Sequence, residues 1–239
     1  MRGLFVTATD TGVGKTVLSA ALLAAIKADG EIVRAYKPAV TGLDEPTEDW
    51  PADHVLLGAA SGLPAEQVSP LRYGPAVSPQ LAAELTGEPL ASETLMTTSA
   101  AVAREAQHAE ATLIVEGVGG LLSPLAESFT VCDLAVALRL PLLIAARPGL
   151  GTINHTLLTL QAARAAGLDV RAVVITPWPE QPSQLEQSNL ETIRSFGFVE
   201  VDTLSQASGP DIGELARVGA ALPWRRWLGE TVTVPAPAQ

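Results

Sequence analysis

Thr11-Gly12-Val13-Gly14-Lys15-Thr16 stands between a short apolar run, Leu4-Phe5-Val6-Thr7, and a stretch rich in alanine and leucine from Val17 to Ile26. Gly12 and Gly14 allow a turn tight enough for backbone N–H groups to point inward. Lys15 adds a compact positive charge, and the Thr16 hydroxyl is a hard oxygen suited to Mg2+. A helix starting here would add its positive dipole end. Together these parts grip phosphate. The strict pattern G-x-x-x-x-G-K-[ST] asks for glycine at position 9, where this chain has Thr9. The strand before the turn and the helix after it therefore carry the reading.

Lysine usage singles out a second position. The chain has 12 arginines but only three lysines, at 15, 27 and 37. A lysine retained against that background points to a need for an ammonium rather than a planar guanidinium. Lys27 suits the C-terminal end of the first helix. Lys37 lies in Tyr36-Lys37-Pro38-Ala39-Val40-Thr41-Gly42, directly after an apolar run. It reads either as a solvated lysine or as an anion contact, and its scarcity favours the second.

Glu116 closes the run Leu113-Ile114-Val115 and precedes Gly117-Val118-Gly119-Gly120. It is either a strand-end carboxylate paired to a cation or the acid that holds Mg2+ beside a phosphate loop. The glycines, Gly119 among them, let backbone N–H groups approach an anion. Asp53 opens a helix, as an N-cap or as a second magnesium carboxylate. Gly149-Leu150-Gly151-Thr152-Ile153-Asn154 leads into another helix, whose free N–H groups suit a carboxylate, although Asn154 also fits a capping role. His108, His155 and Cys132 show no metal-ligand spacing and read as packing or surface residues.

These residues need a scaffold that brings strand ends together. Short apolar runs at 3–7, 32–36, 112–115, 141–145, 170–175 and 198–201 alternate with helical stretches at 15–28, 53–60, 79–85, 92–109, 131–138, 153–166 and 184–196. The runs lack strict alternation, as expected where a sheet is covered on both faces. Gly30, Gly167 and Gly197 are placed as helix C-terminal caps. The pattern predicts a single α/β domain over 1–228, a doubly wound and mostly parallel sheet, with ligands at the carboxyl ends of its strands. Prolines at 46, 51, 64, 70, 75, 79 and 89 mark an insertion of long loops and short helices. Residues 229–239 read as a flexible tail.

Composition narrows the function. A chain of 239 residues with 47% hydrophobic and 17% charged residues is long and apolar enough for one buried core. Net charge of −11 argues against nucleic acid or an anionic membrane as partner. No apolar run reaches the roughly 20 residues of a membrane span. One cysteine suits a reducing cytoplasm, and the N-terminal apolar stretch reads as a strand rather than a signal peptide.

Over roughly residues 3–178 the motifs resemble the dethiobiotin synthetase family, P-loop NTPase-type enzymes of biotin biosynthesis. The family pattern G-T-D-T-x-V-G-K-T is similar to Ala8-Thr9-Asp10-Thr11-Gly12-Val13-Gly14-Lys15-Thr16. Y-K-P-V-x-[ST]-G resembles 36–42. Ser78-Pro79, Val115-Glu116-Gly117-Val118-Gly119-Gly120 and Gly151-Thr152-Ile153-Asn154-His155 follow in order. The resemblance implies that 7,8-diaminononanoate, CO2 and ATP (or another nucleoside triphosphate) combine through a carbamate and a carbamic–phosphoric anhydride. By the same resemblance Lys15 holds phosphates, Lys37 bridges carbamate and γ-phosphate, and Thr11 and Thr41 hydrogen-bond the carbamate or a substrate nitrogen. Gly12, Val13, Gly14, Lys15, Thr16, Val17, Glu116 and Thr176 line the nucleotide, and Thr41, Gly119, Gly151 and Asn154 the substrate. Mg2+ falls to Thr16, Asp53 and Glu116.

The resemblance further implies a cytoplasmic homodimer with shared sites, the Gly151–Asn154 helix start serving the neighbouring subunit. Two departures stand out: Ala8 replaces the family's first glycine, and Thr176 stands where many relatives carry Asn, which leaves base preference open. The competing class is a ParA/MinD-like switch ATPase. That group places a lysine five residues before the lysine of Gly-Lys-Thr, a position held here by Asp10.

Overall fold

The protein is described by a computed structural model covering residues 1–46 and 50–229. The expected tail at 229–239 lies outside the described residues beyond Gly229. Strands β1 (Gly3–Ala8), β2 (Val33–Tyr36), β3 (Thr112–Glu116), β6 (Leu142–Ala146), β7 (Val170–Trp178) and β8 (Glu200–Ser205) form a six-stranded sheet in the order β2-β3-β1-β6-β7-β8. Every pairing in it is parallel. The sheet is thus parallel throughout, in keeping with the expected doubly wound α/β fold. A separate antiparallel hairpin, β4 (Pro124–Ala126) and β5 (Phe129–Thr130), was not signalled by the sequence because its strands are too short to show a period.

Helices cover both faces. On one lie α1 (Lys15–Ala28), α2 (Asp53–Ser61), α9 (Ile212–Ala220) and α10 (Trp224–Trp227); on the other α5 (Ser92–His108), α6 (Val131–Leu138), α7 (Thr152–Ala165) and α8 (Gln184–Gly197). The short helices α3 (Ala65–Val68) and α4 (Pro79–Thr86) belong to the insertion. Because both faces are covered, β1, β3 and β6 are buried along their whole length. Continuous apolar runs without alternation follow from that burial.

α1 is buried almost all round, with Leu18, Leu22, Leu23 and Ile26 fully enclosed. It runs against α9 closely enough that a Cβ on Gly219 would meet the Ala21 carbonyl oxygen at 2.1 Å. Trp224 and Trp227 close that layer, and Trp227 Nε1 donates to Glu200 Oε1 at 2.9 Å. Neither α9 nor α10 was anticipated, and β8 lies two to four residues beyond the expected 198–201. The cause is visible at Gly197, which ends α8 instead of following it. Phe198 takes the left-handed cap (φ 46), and Arg164 ties down the Gly197 carbonyl.

The first connection leaves β1 on the α1 face toward β2. After β3 the chain crosses by the opposite face, through α6, to β6. Adjacent strands β1 and β3 therefore send their following segments to opposite sides, which opens a crevice between their carboxyl ends.

Candidate active site

β1 ends at Ala8, which is extended and has no positive φ, so the methyl that replaces glycine costs nothing. Asp10 Oδ1 accepts the Thr11 N–H at 2.7 Å, and Lys15 Nζ donates to the Asp10 carbonyl at 3.3 Å. Asp10 thus shapes the turn where a switch ATPase would carry a lysine. Gly14 has φ 97 and starts α1, with Leu18 N–H donating to its carbonyl at 3.0 Å. A Cβ there would lie 3.1 Å from Thr176 Cγ2. The first N–H groups of α1 have no intrahelical partner and are available to a ligand at this loop.

Lys37 is placed from the other side. Its N–H donates to the Val68 carbonyl at 2.9 Å, that of Val40 to Leu71 at 2.9 Å and that of Gly42 to Pro75 at 3.0 Å. The insertion at 42–89 therefore returns alongside the segment after β2 and holds it. Lys37 is 2% exposed, with Nζ 2.5 Å from Glu116 Oε1 and 2.8 Å from Asp53 Oδ2. Thr16 Oγ1 lies 2.9 Å from both Asp53 Oδ1 and Glu116 Oε1. Asp53 is the first residue of α2 rather than its cap, and its carboxylate turns to Thr16 and Lys37 instead of to its own helix.

The electrostatics of this cluster follow from burial and from its two charge signs. Burial opposes the Lys37 ammonium, yet Asp53 and Glu116 outweigh it and hold the group above the usual lysine range. Asp53 is disfavoured by burial but kept below the usual carboxylate range by Lys37, with Thr16 and Lys15 helping. Lys15 is lowered, first by burial and then by repulsion from Lys37. An arriving polyanion relieves that repulsion. The Thr16 hydroxyl has one proton for two carboxylate acceptors, and Glu116 Oε2 is buried without a hydrogen-bond partner among the described residues. A surplus of hard, unpartnered carboxylate oxygen next to a hydroxyl fits a divalent cation such as Mg2+. Among the described residues no group of three or more His, Cys, Asp or Glu forms a metal cluster.

Around this cluster lies a crevice of about 730 Å3. Thr11, Gly12, Gly14, Lys15, Thr16, Val17, Lys37, Thr41, Asp53 and Gly119 line it, so ten of the expected site residues meet there. Glu116 reaches it through Lys37 and Thr16. Val13 differs: its side chain is 2% exposed and belongs to the core, leaving only its backbone for a ligand. Thr176 borders a smaller neighbouring cavity. Gly151 and Asn154 are exposed at the start of α7, outside the lining of the crevice. Trp50, Ser78 and Ser123 also line it without having been proposed as site residues. Ser123 had a readable clue in its spacing from the glycine run, because its Oγ accepts the Gly120 N–H at 2.8 Å. His155 lies outside this crevice but borders a second groove that Thr11 also lines, and Cys132 is buried in the core.

A wholly parallel sheet, a Gly-Lys-Thr turn at its switch point and an acid ending the adjacent strand define a P-loop nucleotide-binding protein. Solved structures with this fold include a chain of the MinC:MinD cell division protein complex of Aquifex aeolicus (TM-score 0.57, 13% identity, 99% of both chains). Another is a ParA family ATPase of Chlorobium tepidum TLS (TM-score 0.54, 11% identity, 97% of this chain and 100% of that one). At such identities the likeness concerns the fold alone. A family described as AAA domain matches residues 2–230.

Sequence relatives are more specific. The ATP-dependent dethiobiotin synthetase BioD of Caulobacter sp. (strain K31) is 43% identical over 184 residues, 76% of this chain and 79% of its own length. That of Bacillus subtilis (strain 168) is 36% identical, covering 81% and 82%. That of Rhodococcus jostii (strain RHA1) is 37% identical over 235 residues, 96% and 98% of the two chains. The chain belongs to the ATP-dependent dethiobiotin synthetase family.

Proposed function

We propose that the crevice joins 7,8-diaminononanoate and CO2 into a cyclic urea at the expense of one ATP, giving dethiobiotin, ADP and phosphate. One amine adds to CO2 and loses a proton, giving a carbamate. A carbamate oxygen then attacks the γ-phosphorus, the bond to ADP breaks, and a carbamic–phosphoric anhydride forms. The neighbouring amine attacks the carbonyl carbon and gives up a proton, phosphate leaves with the oxygen that attacked phosphorus, and the ring closes.

The observation that carries this reading is Lys37. A buried ammonium held opposite a phosphate loop suits a reaction that drives one anion onto another. Lys37 exchanges its carboxylate partners for the carbamate and the γ-phosphate. Lys15 and the N–H groups of residues 12–17 hold the phosphates. The hydroxyls of Thr11 and Thr41 and the backbone at Gly119 orient the carbamate. Rate enhancement then comes from alignment and from charge stabilisation in the transition state, without a covalent enzyme intermediate. Thr16, Asp53 and Glu116 would hold Mg2+, which, when bound, neutralises charge on the phosphate oxygens.

The reading includes a homodimer working in the cytoplasm. Leu122, Leu150 and Leu158 are exposed around α7, and Leu122 and Leu158 border one groove of about 430 Å3 beside Thr11. A second copy covering that face would bring its own Gly151 and Asn154 toward the tail carboxylate of the substrate. Among the described residues no helix is long and apolar enough to cross a membrane. Phosphate release from ATP and bicarbonate, with and without diaminononanoate, tests the function. Release should depend on the diamine; folded protein that shows no such dependence contradicts the reading.

A further inference from the structure

We infer that Trp50 is a contact for the nucleotide base, the aromatic wall of a pocket that continues the phosphate crevice. A cavity of about 130 Å3 adjoins the crevice, and Gly14, Val17 and Trp50 border both. Its far side is made by Thr176 and Pro177 in β7 and by Ser205 and Gln206 where β8 ends. A ligand with its phosphates on the loop at Gly14 and Lys15 runs past Val17 directly into this space.

Size and polarity agree. A cavity of about 150 Å3 takes a single benzene ring in another protein, so this space of about 130 Å3 admits one edge of a flat base while the rest stays over Val17 and the crevice. The large crevice is lined by Lys15, Lys37 and Asp53, whereas no ionisable side chain lines the small cavity. The two spaces therefore sort a nucleotide into its charged and its neutral half. Trp50 is half-buried and packs against the apolar layer around α1, which fixes the indole ring. An indole face offers a broad, rigid surface for a base to stack on.

This inference rests on the use of ATP proposed above, and its test separates the two. Calorimetric titrations of wild type, Trp50→Leu and Trp50→Phe would use ATP and, separately, inorganic tripolyphosphate, each with magnesium. Tripolyphosphate carries the charge of the nucleotide but no base. Loss of one base–aromatic stack predicts that Trp50→Leu weakens ATP about tenfold, with most of that loss recovered in Trp50→Phe. Tripolyphosphate affinity should be the same in all three proteins, which also reports a folded phosphate loop. Unchanged ATP affinity in Trp50→Leu would overturn the inference. So would an equal loss for tripolyphosphate, because Trp50 would then act by supporting α1 and Asp53. Wild type that binds ATP with the Trp50 dependence but shows no diamine-dependent turnover would contradict the synthetase reading and leave the base contact standing.

Discussion

The Lys37 ammonium lies 2.5 Å from Glu116 Oε1, and both groups are buried, at 2% and 0% exposure. Two segments from different strands thus meet in one ion pair at the mouth of the sheet's crevice. Buried pairs contribute little net stability compared with apolar packing, but breaking one is costly. In the proposed function the pair, extended by Asp53 and Thr16, supplies charge to the chemistry.

Lys37→Gln should lower kcat by about two to three orders of magnitude, the scale of losing one preorganised charge in the transition state. Nucleotide affinity should stay largely intact, as Lys15 and the loop N–H groups remain. The same variant should lose about 3 kcal/mol of stability in denaturant titrations, since Glu116 is left buried without its cation. Equal loss of ATP binding and turnover would place Lys37 in the nucleotide site instead.

Asn189→Ala probes the start of α7. Asn189 is 4% exposed and its Nδ2 donates to the carbonyls of Pro148 at 2.8 Å and Gly149 at 3.2 Å, just before the helix opens at Gly151. Removing the amide takes the donor from the Pro148 carbonyl and leaves the Gly149 carbonyl with the Thr152 N–H alone, at a cost of about 1–3 kcal/mol. If the helix start binds the substrate tail, KM for diaminononanoate rises while kcat is nearly kept. A shift in melting temperature with KM unmoved would remove this element from the substrate site.

Stability should respond to pH at three groups. Asp53, held below its ordinary 3.8, contributes stability above that value and loses it as pH falls through its folded pKa. Lys37, raised above its ordinary 10.5, contributes below that value and loses it as pH rises through its folded pKa. Asp202 acts in the opposite sense to Asp53. Burial and then the neighbouring Glu200 push it from 3.8 to about 6, so its contribution is complete below 3.8 and is lost as pH rises through about 6. Glu200 stays below the usual carboxylate range. Burial opposes its charge, but Arg226, Asp202 and the Trp227 indole outweigh burial. Asp202→Asn should therefore match wild type near pH 4 and be the more stable protein at pH 7. Parallel denaturation curves at both pH values would contradict this arrangement.

How much of this was legible before folding depended on whether a residue's role lies in its own segment. Lys15, Lys37 and Glu116 each follow or end an apolar run, so the parallel-sheet rule placed them at one rim without any contact information. Asp53 was readable as the acid that opens a helix within the proline-rich insertion. Trp50 was not, because its neighbours Val17, Thr176 and Ser205 come from segments remote in sequence. Val13 was placed in the site by motif, yet its side chain turns into the core. At the C-terminal end the left-handed cap at Phe198 displaced β8. The two helices beyond it take their stability from tertiary packing of Leu215, Val218, Trp224 and Trp227, which no short-range period announces.

The most direct test of the proposed chemistry follows oxygen atoms. Turnover with [18O]bicarbonate, ATP and diaminononanoate, analysed by mass spectrometry of the phosphate released early in the reaction, reports whether a carbamate oxygen attacks phosphorus. The predicted result is phosphate carrying one oxygen from bicarbonate, formed in step with dethiobiotin. Phosphate whose new oxygen comes only from water would mean simple ATP hydrolysis and would contradict the account.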